Sequence, residues 1–172
     1  WVEAYAPETS STASATSQAV RFHIEKAPLC IRAKDKTITY GETLSDNGAE
    51  INGFVNNENE TVLWGLNYAF GYAQFSDIGT YTIIPMDAQA ENYKITYENG
   101  VLTVQPKPVE IKWNSESLVY YDGTPKLVTA EAIGAVNGDA LTVIIEDGSR
   151  TEIGSYTARA VALAGGKAGN YV

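Results

Sequence analysis

The chain has 172 residues and a formal net charge of −9, from 12 lysines and arginines against 21 aspartates and glutamates. The positive residues are scattered singly and form no patch that could neutralise a run of phosphates, so nucleic acid and anionic membranes are not expected partners. No stretch approaches the run of apolar residues that a transmembrane helix needs, so membrane insertion is not expected either.

A single cysteine, Cys30, means that no disulfide can form within the chain. Many domains of the bacterial exterior lack disulfides and are rich in Tyr, Thr, Asn and Gly, as this chain is, although a cytosolic β-protein could share that composition. The first residues lack the basic start and apolar run of a signal peptide. We expect the chain to be an internal fragment whose targeting signals lie elsewhere.

An internal repeat with an offset of about 80 residues organises the chain. Short motifs recur in the same order in its two halves: residues 28–31 match 108–111, 38–41 match 119–123, 49–50 match 130–131, 53–56 match 134–137, 78–82 match 153–157, and 92–93 match 170–171. The conserved order, with only small changes of spacing, indicates two modules of one design.

The frame of the repeat predicts where the modules begin and end. Residues 20–24 align with 101–104, which close the first full copy of the pattern. The second copy has no counterpart to residues 97–105, so we expect it to lack its last strand. The predicted divisions are residues 1–26 for closing strands of a preceding repeat, 27–106 for the first module and 107–172 for the second.

Strand signals dominate the local sequence. In residues 20–24, Phe22 and Ile24 alternate with polar residues, which predicts a strand with these two side chains facing inward. Residues 93–97 and 101–104 are predicted to form a hairpin, because Asn99-Gly100 between them supplies the positive-φ residues of a tight turn. Further strands are predicted at 29–33, 37–40, 67–72, 81–84, 109–113, 141–146 and 156–163.

No segment of about ten residues shows helical periodicity with caps, so the fold class is predicted to be all-β. Many short strands at regular spacing favour two tandem small β-sandwich modules of the immunoglobulin-like type. The alternative is a β-grasp-like sheet, which needs one packed helix that the sequence does not indicate.

Each half contains an acid-x-Gly-x-Tyr motif just before a predicted strand. In immunoglobulin-like sandwiches a tyrosine at such a corner turns its hydroxyl back onto nearby backbone. The alternative is an ordinary glycine turn. The predicted corner residues are Asp77, Gly79 and Tyr81 in the first module and Glu152, Gly154 and Tyr156 in the second.

With these motifs in view, the chain resembles the MBG domain family of bacterial surface proteins. Residues 28–105 resemble its YGX type through Tyr40-Gly41, the 53–56 motif, the corner and the segment that starts at Asn92-Tyr93. Residues 108–172 resemble the related YDG type. The resemblance implies a tandem repeat of a large secreted or wall-attached protein, often adhesin-like, and hence an extracellular location.

The sequence offers no catalytic set, and we expect no enzyme and no cofactor. The only histidine, His23, is predicted on the polar face of a strand, and Cys30 is predicted to be a buried, inert thiol, although a Cys–His dyad is the alternative. One Cys and one His cannot complete a structural zinc site. No metal is predicted, although calcium remains an alternative for the oxygen-rich stretch that contains Asp46, Glu50, Glu58 and Glu60.

Five aromatic residues are crowded into residues 64–75. Tyr68, Phe70 and Tyr72 would share one face of a strand, and exposed aromatic rings can stack on sugars. The alternative is that this stripe is the core of a small sandwich, since aromatic side chains supply much of the burial in a small core. The candidate glycan-facing residues are Trp64, Tyr68 and Tyr72.

Two functions therefore remain open. The first is a structural spacer or stalk whose partners are neighbouring repeats of the same protein. The second is a binding module for a glycan or a host glycoprotein. In addition, residues 20–25 of one molecule are expected to pair head-to-tail with the open edge of another molecule's second module.

Overall fold

A computed structural model of the chain describes residues 4–7, 15–45, 48–114 and 118–172. These residues form strands and two short 3-10 turns, Glu60–Val62 and Ala168–Asn170, with no α-helix among them. The all-β prediction is confirmed, while the immunoglobulin-like arrangement stays a prediction. In the described part of the chain, no helix has the length and apolar character that crossing a membrane requires.

The strands of the first module are β3 (Ala27–Ala33), β4 (Lys36–Thr39), β5 (Ala49–Asn52), β6 (Asn67–Phe70), β7 (Gly79–Met86), β8 (Tyr93–Glu98) and β9 (Gly100–Gln105). They form two sheets, one with the order β5-β3-β8 and one with the order β4-β9-β7-β6. Before them, β1 (Tyr5–Ala6) pairs with β2 (Ala15–Thr16). The predicted closing strand at residues 20–24 is not formed, and Phe22 and Ile24 are exposed, because a strand needs a second backbone to pair with it.

The predicted hairpin between residues 93–97 and 101–104 is wrong. Instead, β8 runs parallel to β3 in one sheet, and β9 runs parallel to β4 in the other. Gly100 lies where the chain passes between the sheets, and its φ is not positive. A Cβ there would lie 2.6 Å from the carbonyl oxygen of Ala33, so Gly100 is required by close backbone approach and not by a tight turn.

The core of the first module lies between these sheets. Leu29, Ile31 and Ala33 alternate along β3 and are buried, as are Leu102 and Val104 on β9. Each fully buried Val, Leu or Ile side chain in this core contributes about 1.5–3 kcal/mol through removal of apolar surface from water.

The second module repeats part of this arrangement. Its strands are β10 (Glu110–Asn114), β11 (Lys126–Leu127), β12 (Thr129–Ile133), β13 (Thr142–Glu146), β14 (Ser149–Arg150) and β15 (Arg159–Ala164). The antiparallel pairs are β10 with β12, β11 with β14 and β13 with β15. By sequence alignment, β10 and β12 correspond to β3 and β5.

Tyr171 begins a counterpart of β8 in the second module, because it bridges Lys107 in parallel as Tyr93 bridges Ala27. The described residues include no counterpart of the rest of β8 or of β9. In the first module β4 pairs only with β9, and the segment that aligns with β4, residues 118–121, forms no strand. Tyr121 is accordingly 64% exposed, whereas Tyr40, its counterpart in the alignment, is 0% exposed. Among the described residues, the segment 118–121 therefore has no β9 strand beside it.

Candidate functional site

The most elaborate polar arrangement in the structure lies where the two modules meet, and we call it the joint. The connection between the modules is held by backbone hydrogen bonds at Lys107, whose N–H donates to Asn170 O at 2.9 Å and whose carbonyl accepts from Val172 N at 3.0 Å. The N–H of Val109 also donates to Val172 O, at 2.9 Å. The first residues of the second module are thereby hydrogen-bonded to residues 170–172.

At the centre of the joint, one carboxylate accepts a hydrogen bond from a tyrosine of each module. Tyr40 Oη donates to Asp139 Oδ2 at 2.9 Å, and Tyr171 Oη donates to the same oxygen at 2.7 Å. The two rings are edge to face with centroids 5.4 Å apart, and both are buried. Asp139 therefore satisfies two hydroxyls that would otherwise be left in an apolar interior.

The surroundings favour the protonated form of both phenols. Burial, with the hydrogen bond to Asp139 as the second cause, raises the pKa of Tyr171 to about 12. The pKa of Tyr40 is raised for the same two reasons. Both hydroxyls are therefore donors at neutral pH, which is the state that the Asp139 carboxylate requires.

A second cluster at the joint is built on the acid of the predicted corner. Asp77 Oδ1 accepts from Asn170 Nδ2 at 2.8 Å and from Lys167 Nζ at 2.6 Å, while the N–H of Ile78 donates to Asn170 Oδ1 at 3.0 Å. Asn170 is only 3% exposed. The hydrogen bonds from Asn170 and Lys167 lower the pKa of Asp77, and Asp77 in turn raises the pKa of Lys167.

A tight turn places Asp139. Asn137 and Gly138 have positive φ values of 55° and 69°, and the N–H of Asp139 donates to Val136 O at 3.0 Å. Asn and Gly are the residues that adopt this conformation most readily. The turn also presents the N–H of Val136 to Tyr171 Oη at 3.1 Å, so one loop both accepts from and donates to the same hydroxyl.

At the first predicted corner, the hydroxyl of Tyr81 donates to Asp77 O at 2.6 Å, and its ring is edge to face with Tyr72. Gly79 has a φ of +146°, which favours glycine. This is the backbone hydrogen bond that a tyrosine corner makes, although Tyr81 is half-buried.

The second predicted corner differs. Tyr156 is 49% exposed, and its ring lies 5.4 Å from the guanidinium of Arg150, with Glu152 and Gly154 on the surface. The Tyr156 hydroxyl makes no hydrogen bond to backbone among the described residues, so the tyrosine corner predicted there is wrong. The reason is that Tyr81 pairs with Leu102 on β9, and the described residues of the second module contain no strand equivalent to β9.

The candidate glycan-facing aromatics do not share one exposed face. Tyr72 is buried in the core, as the core interpretation of the aromatic stripe predicted, and does not face outward toward a glycan. Tyr68 and Phe70 are half-buried and stacked, with centroids 6.5 Å apart, and both pack against the same core. Trp64 alone of the three candidates is exposed, at 53%. It borders a groove of about 590 Å³ whose polar lining includes Lys26, Gln89 and Glu91.

The other candidate chemistry is dispersed. His23 is exposed, and Cys30 is half-buried because strand alternation points it away from the core side of β3 that Leu29 and Ile31 occupy. The expected full burial of Cys30 is therefore wrong.

The acids proposed for calcium are also spread apart. Glu50 pairs with Arg32, Glu58 accepts from Tyr93, Glu60 lies in the 3-10 turn, and Asp46 lies outside the described residues. Among the described residues, no group of three or more His, Cys, Asp or Glu side chains is placed to hold a metal ion.

The joint itself was not predicted. In the sequence, Tyr40, Asn170 and Tyr171 stand out only as matched positions of the repeat or as part of a family motif, and Asp139 does not stand out as a candidate. A signal was present, because both halves carry an acid three residues after the valine of the matched Gly-x-Val-Asn motif, together with an Asn-Tyr pair later in the chain. Only their contact in space shows that these motifs act together.

In comparisons with known proteins, no curated protein and no solved structure matches the chain. The resemblance of residues 108–172 to the YDG type stays a prediction. For the first module the resemblance is confirmed: residues 29–103, which run from β3 into β9, match the family model described as the MBG domain (YGX type).

Proposed function

We propose that the chain is a spacer or stalk segment of a secreted or wall-attached bacterial surface protein, in which the joint holds successive modules at a fixed orientation. The MBG match of the first module supports the bacterial surface context, and the resemblance of the second module to the YDG type extends it to an adhesin-like tandem array.

The observation that carries this proposal is the shared carboxylate of Asp139, which accepts one tyrosine hydroxyl from each module. Two flexibly linked modules would leave these polar groups to water. Instead, Tyr40 and Tyr171 are buried against each other. Pro106 and Pro108 in the connection further restrict its backbone. Such a connection keeps two neighbouring modules in a fixed relative position, as a spacer or stalk requires.

The test is a distance measurement across the joint by pulsed electron resonance. Spin labels replace Glu50 and Glu131, which are exposed on β5 and β12, in a Cys30→Ala background. We expect a single narrow distance distribution. Asp139→Ala should broaden it, whereas Glu146→Ala, an equal loss of charge on exposed β13, should not. A broad distribution in the parent chain would refute the fixed orientation.

The surface location has its own test. Antibodies raised against the chain should label intact cells of the source bacterium without permeabilisation. Labelling that appears only after the cells are opened would contradict an extracellular role.

A second candidate function, binding of a glycan or host glycoprotein, is favoured by the exposure of Trp64 beside the groove with Lys26, Gln89 and Glu91. An exposed indole can stack on a sugar ring, while neighbouring charged and amide groups hydrogen-bond to hydroxyls. Glycan-array and mucin-binding measurements test it. Trp64→Ala should abolish any binding and Trp113→Ala, at another partly exposed tryptophan, should leave it intact. Equal loss in both variants would argue against a site at Trp64.

A further inference from the structure

The first module repeats the contacts that the second module contributes to the joint, and we call each such set of contacts a half-joint. Tyr93 Oη accepts from the N–H of Val55 at 3.1 Å and donates to Glu58 Oε2. Tyr171 makes the matching bonds to Val136 and Asp139. The supporting turns also agree, since Glu58 N donates to Val55 O at 3.0 Å and Asn56 and Asn57 have positive φ.

The two half-joints differ in what covers them. In the second module, Val136 is half-buried under Gly41, where a Cβ would lie 2.8 Å from the valine methyl, and Asn170 is buried by its bonds to Asp77 and Ile78. In the first module, the corresponding Val55 is 53% exposed and Asn92 is exposed. The groups that bury the second half-joint thus have no equivalent over the first among the described residues.

We propose that the surface formed by Val55, Glu58, Asn92 and Tyr93, the receiving surface, binds the Tyr40–Asp77 end of another module of the same type. This inference rests on the proposed function and identifies the partner of that end. The joint within the chain specifies the partner's chemistry. It must offer a tyrosine hydroxyl to Glu58, a glycine after that tyrosine to admit Val55, and a carboxylate to accept from Asn92.

The hydrogen-bonding capacity of the receiving surface matches this partner. A carboxylate can accept several hydrogen bonds. Asp139 accepts one from Tyr171 and a second from Tyr40, whereas Glu58 accepts one from Tyr93 and has capacity for another. One contact of the joint would be absent, because the position three residues before Asn92 is Gln89, where the second module has Lys167. The lost Lys–Asp pair is partly exposed and such pairs contribute little, so the docking should persist.

The test extends the chain by one module. A copy of residues 27–106 replaces residues 1–26, so that the connection into Ala27 has the length of the connection into Lys107. Spin labels are placed at Glu50 of the added copy and Glu50 of the original module, again with Cys30→Ala. We expect the same mean distance and the same narrow width as for the Glu50–Glu131 pair of the parent chain.

Variants locate the contact. Asn92→Ala in the original module should broaden the distribution, and so should Asp77→Ala in the added copy. Asn92 makes no side-chain hydrogen bond within the described chain, so this change should not impair folding, and circular dichroism of the unextended variant checks that. Glu98→Ala, on the exposed end of β8, is the matched surface control and should leave the distribution narrow.

The outcomes separate the two proposals. A narrow distance distribution for the Glu50–Glu131 pair, with a broad distribution across the added connection, would contradict the proposed receiving surface. It would leave the proposed function intact. A broad result for both pairs would overturn both. A narrow added pair that is unaffected by Asn92→Ala and by Asp77→Ala would also overturn the receiving surface, because other contacts would then hold the modules.

Discussion

Tyr171 occupies in the second module the place that Tyr93 occupies in the first. Each hydroxyl accepts a hydrogen bond from the N–H of a valine, Val136 or Val55, and donates to the acidic side chain three residues further on, Asp139 or Glu58. Only Asp139 also receives a hydroxyl from a neighbouring module, that of Tyr40. One local design thus serves both as internal packing and as an attachment point between modules.

Asp139→Ala should lower the free energy of unfolding by about 1–3 kcal/mol, because it leaves the buried hydroxyls of Tyr40 and Tyr171 without their acceptor. Urea unfolding followed by tyrosine and tryptophan fluorescence measures the shift. Glu146→Ala removes the same charge from an exposed strand position and should change the midpoint little. Equal effects of the two changes would show that charge, and not the shared carboxylate, is responsible.

Tyr81→Phe should destabilise the chain by about 0.5–1.5 kcal/mol, because it removes the hydrogen bond from the hydroxyl to Asp77 O. The matched change Tyr156→Phe should be close to neutral, since that ring is on the surface beside Arg150. Thermal unfolding of both variants provides the comparison. A loss at Tyr156 as large as that at Tyr81 would mean that both corners contribute alike.

Much of the fold could be predicted because it depends on local sequence. Strands such as β3 follow from alternation, with Leu29, Ile31 and Ala33 on one side. The correspondence of Asn92-Tyr93 with Asn170-Tyr171 also survives in three dimensions, because both tyrosines meet the turn after the same glycine motif. These features need only neighbouring residues or a match between halves.

The predictions that failed concern features that depend on contacts between residues distant in sequence. Asn99-Gly100 has the composition of a hairpin turn, yet the parallel pairing of β8 with β3 and of β9 with β4 draws the two strands into different sheets. Tyr72 and Trp64 belong to one aromatic-rich segment, and only the packing of the sheets decides that the first is buried and the second exposed. The joint likewise unites residues from both modules, which no local pattern specifies.

Gly100→Ala should destabilise by about 1–3 kcal/mol, because the added methyl group would meet the backbone oxygen of Ala33, which cannot move aside without disturbing β3. Gly166→Ala is the control, since a Cβ there has open space and its φ is not positive. Urea midpoints of the two variants test the contrast. A harmless Gly100→Ala would imply that the chain crosses between the sheets by another path.

Alkaline pH should weaken the joint. The folded pKa of Tyr171 is raised to about 12, and that of Tyr40 is also raised, so the folded chain holds these protons more tightly than the unfolded chain, in which tyrosine titrates near pH ~10. The two tyrosines contribute fully to the free energy of unfolding below the pKa of unfolded tyrosine. This contribution, on the order of 2 kcal/mol, is lost as the pH rises toward 12. Asp77, whose pKa is lowered, contributes above its unfolded pKa and therefore does not offset this loss.

Unfolding midpoints measured across this alkaline range provide the test. The double variant Tyr40→Phe/Tyr171→Phe should show a shallower decline than the parent chain, because two of the groups responsible no longer titrate. Tyr93, whose pKa is raised by its bond to Glu58, should preserve part of the slope. An identical slope in the parent and the double variant would contradict a role for Tyr40 and Tyr171, since Lys167, whose pKa is also raised, titrates in both proteins.

The described residues of the second module contain no strand that aligns with β9. In the first module β9 lies between β4 and β7. In the second module Leu118, Val119 and Tyr156, which align with residues of β4 and β7, line an open groove of about 270 Å³. Unpaired edges next to apolar grooves are templates for strand addition. At the other end of the chain, Phe22 and Ile24 are exposed on a segment that belongs to no strand.

We therefore propose that residues 20–25 of one molecule pair with the second module of another. The two surfaces are at opposite ends of the chain, so such contacts are head-to-tail and would produce chains or rings. Mass in solution should rise with concentration for the full chain, while deletion of residues 1–25 should keep it monomeric. Phe22→Asp should also reduce association more than His23→Asp, because alternation directs Phe22, but not His23, into the groove. A full chain that stays monomeric at every concentration would show that this segment does not join molecules.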